Sequence, residues 1–202
     1  MRIHAILTPL LFLGSPAVTA QANLKPLAAN PVVPVANLLA KGEGNWDSVN
    51  RGRAGDTPGG IRSITGKSFS DHTVGEVRSM QRRSIYAVGR YQFIPNTLSY
   101  AVKAAGVRSS ERFTPQVQNR LLKALLDHKR PSIGAYIRGE HGSINRALAA
   151  LAREWASVAW RNGRSYYAGR GGNRAHITRH EAAVALNRAR ALYLVRTTET
   201  SK

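Results

Sequence analysis

The stretch Gly42-Glu43-Gly44-Asn45-Trp46-Asp47-Ser48-Val49-Asn50 sits where one kind of patterning stops and another begins. Before it, Val35, Leu38 and Leu39 recur at helical spacing, and Glu43 follows Leu39 by one turn, so a helix from Val35 carries both on one face. Gly42 and Gly44 bracket the carboxylate and mark the helix end. After it, through Ser70, the chain is rich in Gly, Asn, Asp, Arg and Ser. Turn signals at Asn50-Arg51-Gly52, Gly55-Asp56 and Pro58-Gly59-Gly60 surround short stretches such as Ile61 through Thr65. This reads as loop and a small, irregular sheet. A carboxylate on a rigid helix terminus that faces such a region is partly desolvated, and desolvation lets it hold a proton nearer neutral pH.

Beyond Ser70 the pattern is helical. Thr73 and Glu76 form a capping-box pair ahead of Val77 and Met80. Pro95 opens a segment carrying Leu98, Val102 and Ala105, stopped at Gly106. Thr114-Pro115 is an N-cap and first-turn pair before Val117, Leu121, Leu122 and Leu125, the clearest helix in the chain. Ser143 starts another through Ile144, Ala147, Leu148, Leu151 and Trp155. Thr178 with Glu181 caps a last one through Ala182, Ala185, Leu186, Ala189 and Tyr193. The fold class expected is α+β and mainly α, a single domain with a small irregular β region between the first helix and a helical remainder.

Outward from this domain, residues 1–22 read as a signal peptide. Arg2 and His4 precede an apolar run, and small residues follow up to two cleavage points, after Ala20 or Ala22. The run is about ten residues long where a membrane span needs about 20, so no transmembrane segment is expected after processing. Residues 23–34, with Pro26, Pro31 and Pro34, form a Pro-rich leader, 35–195 the folded domain, and 196–202 a polar, frayed tail. The product is exported, to the periplasm or beyond the cell.

The chain has 202 residues, 30 Lys plus Arg against 11 Asp plus Glu, a net charge of +19 and no cysteine. It is too apolar for a disordered basic tail. Zero Cys excludes disulfide frameworks, thiolate nucleophiles and Cys-based metal sites. The charge points to a polyanionic partner, and export favours anionic envelope polymers over nucleic acid, since the Arg residues are spread without a recognition-helix motif or a run of like charges. His176 and His180 have i, i+4 spacing but straddle the predicted cap at Thr178, so neither a metal nor another cofactor is expected.

Sorting the eleven acids leaves few for chemistry. Glu76 and Glu181 occupy capping boxes, Glu111, Asp127 and Glu199 lie on solvated surfaces, and Glu140 and Glu154 suit ordinary ion pairs. Glu43 and the loop acids Asp47, Asp56 and Asp71 remain.

The stretch quoted first resembles the catalytic-glutamate motif of lysozyme-like muramidases and lytic transglycosylases. Gly89-Arg90-Tyr91-Gln92-Phe93-Ile94-Pro95-Asn96-Thr97 is similar to their G-x-x-Q-x-x-P-x-T motif. The Gly-Arg-Tyr-Gln run, the later Trp155-Ala156-Ser157 and the spacing from Glu43 to Gln92 look most like the lambda-type phage endolysins, over roughly residues 38–175. Many lytic transglycosylases have Ser directly after the catalytic Glu where this chain has Gly44, a departure the lambda-type pattern accepts.

The resemblance implies a lysozyme-like fold and cleavage of the β-1,4 bond between N-acetylmuramic acid and N-acetylglucosamine, with Glu43 as the acid. It implies a lytic transglycosylase forming 1,6-anhydro ends, which needs no second carboxylate. The alternative is a hydrolytic muramidase, for which Asp47 and Asp56 are the second-group candidates. Tyr91, Gln92, Thr97 and Tyr167 are the expected substrate-binding residues. The partners are peptidoglycan glycan strands, bound by a monomer. Two uses fit: phage lysis, or making room in the wall for an envelope-spanning secretion machine. From another class, a basic non-catalytic protein that binds wall or nucleic acid is the competing reading.

Overall fold

The computed structural model describes residues 30–140, 142–169 and 173–200. The expected signal peptide and most of the leader lie outside them. The architecture is mainly helical with one two-stranded antiparallel sheet, in the order α1 (Val33–Glu43), β1 (Val49–Asn50), α2 (Gly60–Thr65), α3 (Val74–Gln81), β2 (Ala87–Val88), α4 (Pro95–Ala104), α5 (Pro115–Ala124), α6 (Pro131–Ile137), α7 (Ile144–Glu154) and α8 (Arg179–Thr200).

Helix α1 begins two residues earlier than its apolar spacing suggests, because Pro34 fits the first turn, where its missing N–H costs nothing. Val35, Ala36 and Leu39 face the core, and Leu39, fully buried, fixes the roll of the helix one turn before Glu43. The sheet pairs Val49 with Val88 and Asn50 with Ala87, joining the segment after Glu43 to the segment that carries Gln92.

Ile61–Thr65, within the region expected to be loop and a small irregular sheet, is helical instead. Gly59 and Gly66, both left-handed, bound it, and Ile61 is pinned by its N–H donating to the Asp47 carbonyl at 2.9 Å with its side chain fully buried. That tertiary bond overrides a local pattern too short to fix its own conformation.

The caps form as their spacing requires. Thr73 N–H donates to Glu76 Oε2 at 2.6 Å while Glu76 N–H donates to Thr73 Oγ1 at 3.2 Å, and Thr114 Oγ1 accepts from Val117 N–H. Helix α5 runs on into a π-helical turn, Leu125–Lys129, before α6, a short helix that sequence periodicity did not reveal. Helix α8 continues through Thr200 rather than fraying from Arg196, with threonine hydroxyls at 197, 198 and 200 donating back to carbonyls of the preceding turn. Its buried Ala182, Ala185, Leu186 and Ala189 form a narrow face that packs closely along α1.

A run of edge-to-face rings, Trp46–Tyr91–Phe93–Phe113–Phe69, with successive centroids 6.1, 5.8, 6.4 and 5.3 Å apart, ties the loop region to the helices. Each such pair adds about 0.5–1.5 kcal/mol beyond its buried area. None of the described helices is long and apolar enough to cross a membrane.

Candidate active site

Glu43 is the last residue of α1 and opens onto a cleft of about 620 Å³ whose walls include Trp46, Asp47, Ser48, Asp56, Thr57 and Arg62. The side chain is half-buried, and burial raises its carboxyl above the usual carboxylate value. The Ser157 hydroxyl, donating to Glu43 Oε1, opposes that rise, and the negative charge of Asp56 adds a little to it. The group therefore keeps a proton to higher pH than an exposed glutamate, yet has a donor in place to receive the carboxylate once the proton leaves.

Two glycines make this geometry. A Cβ on Gly42 would lie 2.8 Å from Ser157 Cβ, so only glycine lets the 155–157 segment approach α1 closely enough to reach Glu43. Gly44 has φ of 148°, and a Cβ there would meet Ser48 Oγ at 2.4 Å. The serine that many of the resembled enzymes carry after their glutamate does not fit here.

Of the loop acids, Asp47 is fully engaged. Its Oδ1 accepts from Phe69 N–H at 2.8 Å and its Oδ2 from Arg62 Nε at 2.9 Å, closing the loop over α2. Asp56 lines the cleft, exposed, with Oδ1 accepting from Asn50 Nδ2 at 2.8 Å. Asp71 takes the backbone N–H and hydroxyl of Ser68 and stands outside the cleft lining.

Gln92, expected at the substrate, packs beside the segment that follows Glu43 and is not itself part of the cleft lining. Its Nε2 donates to Gly89 O at 2.9 Å and Ser48 O at 3.4 Å, and lies 3.9 Å from where a Cβ on Gly44 would sit. Its φ of 46° is left-handed, an unusual state for a non-glycine residue and one held here by the Val88–Phe93 bridge on either side of the turn.

The other expected substrate contacts are placed differently. Tyr91 is 1% exposed, packed against Trp46 and Phe93, with its hydroxyl donating to Asn119 Oδ1 at 2.5 Å. It is a core residue and not an open cleft wall. Burial pushes its phenol up to about 12, so it remains a donor. Thr97 is buried on α4, where its hydroxyl accepts from Lys129 Nζ at 2.8 Å. Tyr167 donates its hydroxyl to Arg153 O at 2.6 Å and stacks edge-on against Tyr166.

Glu154 forms ion pairs, as its sequence suggests, but buried ones and not with the adjacent Arg153. Its side chain is 4% exposed and takes Lys129 Nζ on Oε1 at 2.6 Å and Arg130 Nε on Oε2 at 2.8 Å. This cluster pins the end of α7 just before Trp155, whose indole N–H donates to Tyr91 O at 3.1 Å, and Ser157 follows two residues on. Ser157, which bonds Glu43, is the site contact that sorting of acids and aromatics missed. Its signal was the Trp155-Ala156-Ser157 run, which spacing alone did not connect to a site 114 residues earlier. Gln118, fully buried, was also missed: its Oε1 accepts from Arg90 N–H and its Nε2 donates to Trp46 O, tying the Gln92 turn to the segment after Glu43.

The arrangement provides one carboxyl that can hold and return a proton, a hydroxyl that stabilises its ionised form, an amide donor across the turn, and an open groove beside them. No curated protein and no solved structure matches the chain. Residues 36–176, which span Glu43, Gln92 and Ser157, match the family described as Endolysin, and the chain belongs to that family.

Proposed function

We propose that this protein cleaves peptidoglycan glycan strands at the β-1,4 bond between N-acetylmuramic acid and N-acetylglucosamine, and does so as a lytic transglycosylase with Glu43 as acid and base. The observation that carries the reading is a single half-buried, proton-holding carboxyl on the cleft while Asp47 has both oxygens committed to the loop. Protonated Glu43 gives its proton to the glycosidic oxygen as the muramoyl C1–O bond breaks and positive charge grows at the ring. The resulting carboxylate, held by the Ser157 hydroxyl, removes the proton of the muramoyl C6 hydroxyl. That oxygen closes on C1, which leaves a 1,6-anhydro end and returns Glu43 to its protonated state. Water takes no part.

A hydrolytic reading has one observation in its favour, the exposed Asp56 carboxylate on the same cleft, available to position a water. Mass spectrometry of fragments released from purified sacculi separates the two. We expect 1,6-anhydro ends; reducing ends abolished by Asp56→Asn would establish hydrolysis instead. Loss of general acid catalysis costs about 10²–10⁴-fold, so Glu43→Gln should abolish release while leaving sacculus binding intact. Unchanged release by that variant would remove Glu43 from the role.

The same proposal includes export through residues 1–22. A strongly basic product would then be held on an anionic envelope by long-range attraction that salt screens.

A further inference from the structure

A group of uncompensated positive charges outside the Glu43 cleft is built around α7. Arg146 and Arg153 are seven residues apart, on one face of the helix and about 10 Å apart along its axis. Ala149 and Ala150 between them leave a floor with no long side chain. Trp160, Arg161, Lys129 and Arg130 also line this open trough, of about 520 Å³.

The charges do not cancel. Glu154 is shared by Lys129 and Arg130, and all eleven acids of the chain lie within the described residues. Among those residues Arg146, Arg153 and Arg161 make no ion pair. Arg153 lies 5.1 Å from the Trp160 ring centroid and 5.6 Å from that of Tyr166, and Arg161 lies 5.3 Å from Trp160. The rings order the guanidinium groups without neutralising them. Two cations held on one indole repel each other, and a bound anion relieves that repulsion. Planar guanidinium forks fit carboxylates in a two-point fashion.

The trough also lies close to the chemistry along the chain. From Ser157, which bonds Glu43, to Trp160 is three residues, at most about 11 Å of fully extended backbone. In the polymer named under Proposed function, each muramic acid bears a peptide stem ending in free carboxylates. Resting on that reading, we propose that the trough binds the carboxylates of the stem on the muramic acid at the scissile bond, so that the enzyme reads peptide as well as glycan.

The test uses Arg146→Ala with Arg161→Ala, two exposed residues whose side chains make no ion pair or hydrogen bond among the described residues, Arg161 touching only the Trp160 ring, so the fold should be retained and the unfolding temperature nearly unchanged. Cleavage is measured on sacculi and on glycan strands stripped of stems by an amidase. We expect kcat/KM on sacculi to fall by about 10–100-fold, the effect of lost charged hydrogen bonds, with the rate on stripped strands unchanged. Equal falls on both substrates would overturn the proposal in favour of general attraction, and no fall on either would leave the trough without this role. Binding of free stem tetrapeptide, read by calorimetry, should be present in wild type and in Glu43→Gln and absent in the double variant. Peptide binding without any strand cleavage by wild type would sink the proposed reaction and keep the peptide site; cleavage with no peptide binding would do the reverse. Loss of binding to phosphatidylglycerol vesicles in the double variant, with no difference between the two cleavage substrates, would reassign the trough to phosphate.

Discussion

Adding one methyl group to Gly42 tests the contact on which the site depends. Two effects oppose each other. Alanine in the last turn of α1 favours the helix by about 0.5–1 kcal/mol over glycine. The new Cβ, however, would stand 2.8 Å from Ser157 Cβ and 3.0 Å from both its Oγ and Ile177 Cδ1. Carbon atoms rest at about 3.5–4.0 Å, so the 155–157 segment must retreat by nearly an ångström, and overpacking of this kind costs about 1–3 kcal/mol. The net expectation for Gly42→Ala is destabilisation of about 0–2 kcal/mol. For a domain of this size that lowers the unfolding temperature by no more than about 8 °C. Activity should suffer out of proportion, because displacement of about 1 Å in a catalytic group can cost about 100-fold. Calorimetry and muropeptide release on the same preparation give both numbers. If Gly42→Ala melts higher than wild type and keeps its full rate, the packing of Ser157 against α1 is not what supports the site.

Four further expectations follow from the same geometry. Ser157→Ala removes the hydroxyl that favours ionised Glu43, so the carboxyl rises further and the alkaline limb of the kcat/KM profile moves to higher pH; a move to lower pH would refute the assignment. Because burial raises Glu43, the folded protein keeps there a proton that the unfolded chain releases, and stability falls as pH rises from the unfolded value through the raised one. Glu43→Gln should therefore melt higher than wild type at pH 7 and equally at pH 3, and an equal gain at both would contradict the desolvation argument. Glu154→Gln leaves Lys129 and Arg130 sharing no counter-charge and should cost about 3 kcal/mol in urea unfolding; a loss within error would mean the cluster contributes nothing to the end of α7. Tyr91→Phe should cost about 1 kcal/mol through the lost bond to Asn119 while leaving kcat/KM unchanged, and a large catalytic loss would return Tyr91 to the substrate.

Where a signal is local, the sequence carried it. Thr73 with Glu76 and Thr114 with Pro115 start helices because caps act within one turn, and Gly42-Glu43-Gly44 marked both a helix end and the acid that sits on it. Gln92 came from a motif and lies against Ser48, a residue of the cleft wall. What was not legible depends on partners far along the chain. Tyr91 has the composition of a sugar-stacking residue, and only its packing between Trp46 and Phe93 makes it core. Glu154 beside Arg153 looked like an ordinary pair, but its partners, Lys129 and Arg130, stand more than twenty residues away, and the cluster is buried. Ile61–Thr65 is helical through a bond to Asp47 that no local pattern announces.

The match to the endolysin family ends at residue 176, three residues before α8 begins. Yet α8 lies along α1, and Lys41 on α1 pairs with Glu181 at the start of α8, two residues from the catalytic candidate. A protein trimmed to the matched segment would lose the cover over the helix that carries Glu43 and should fold poorly or not at all. The buried face of α8 runs from Ala182 to Ala189, so a boundary drawn at the end of the family match would cut away part of the packed core.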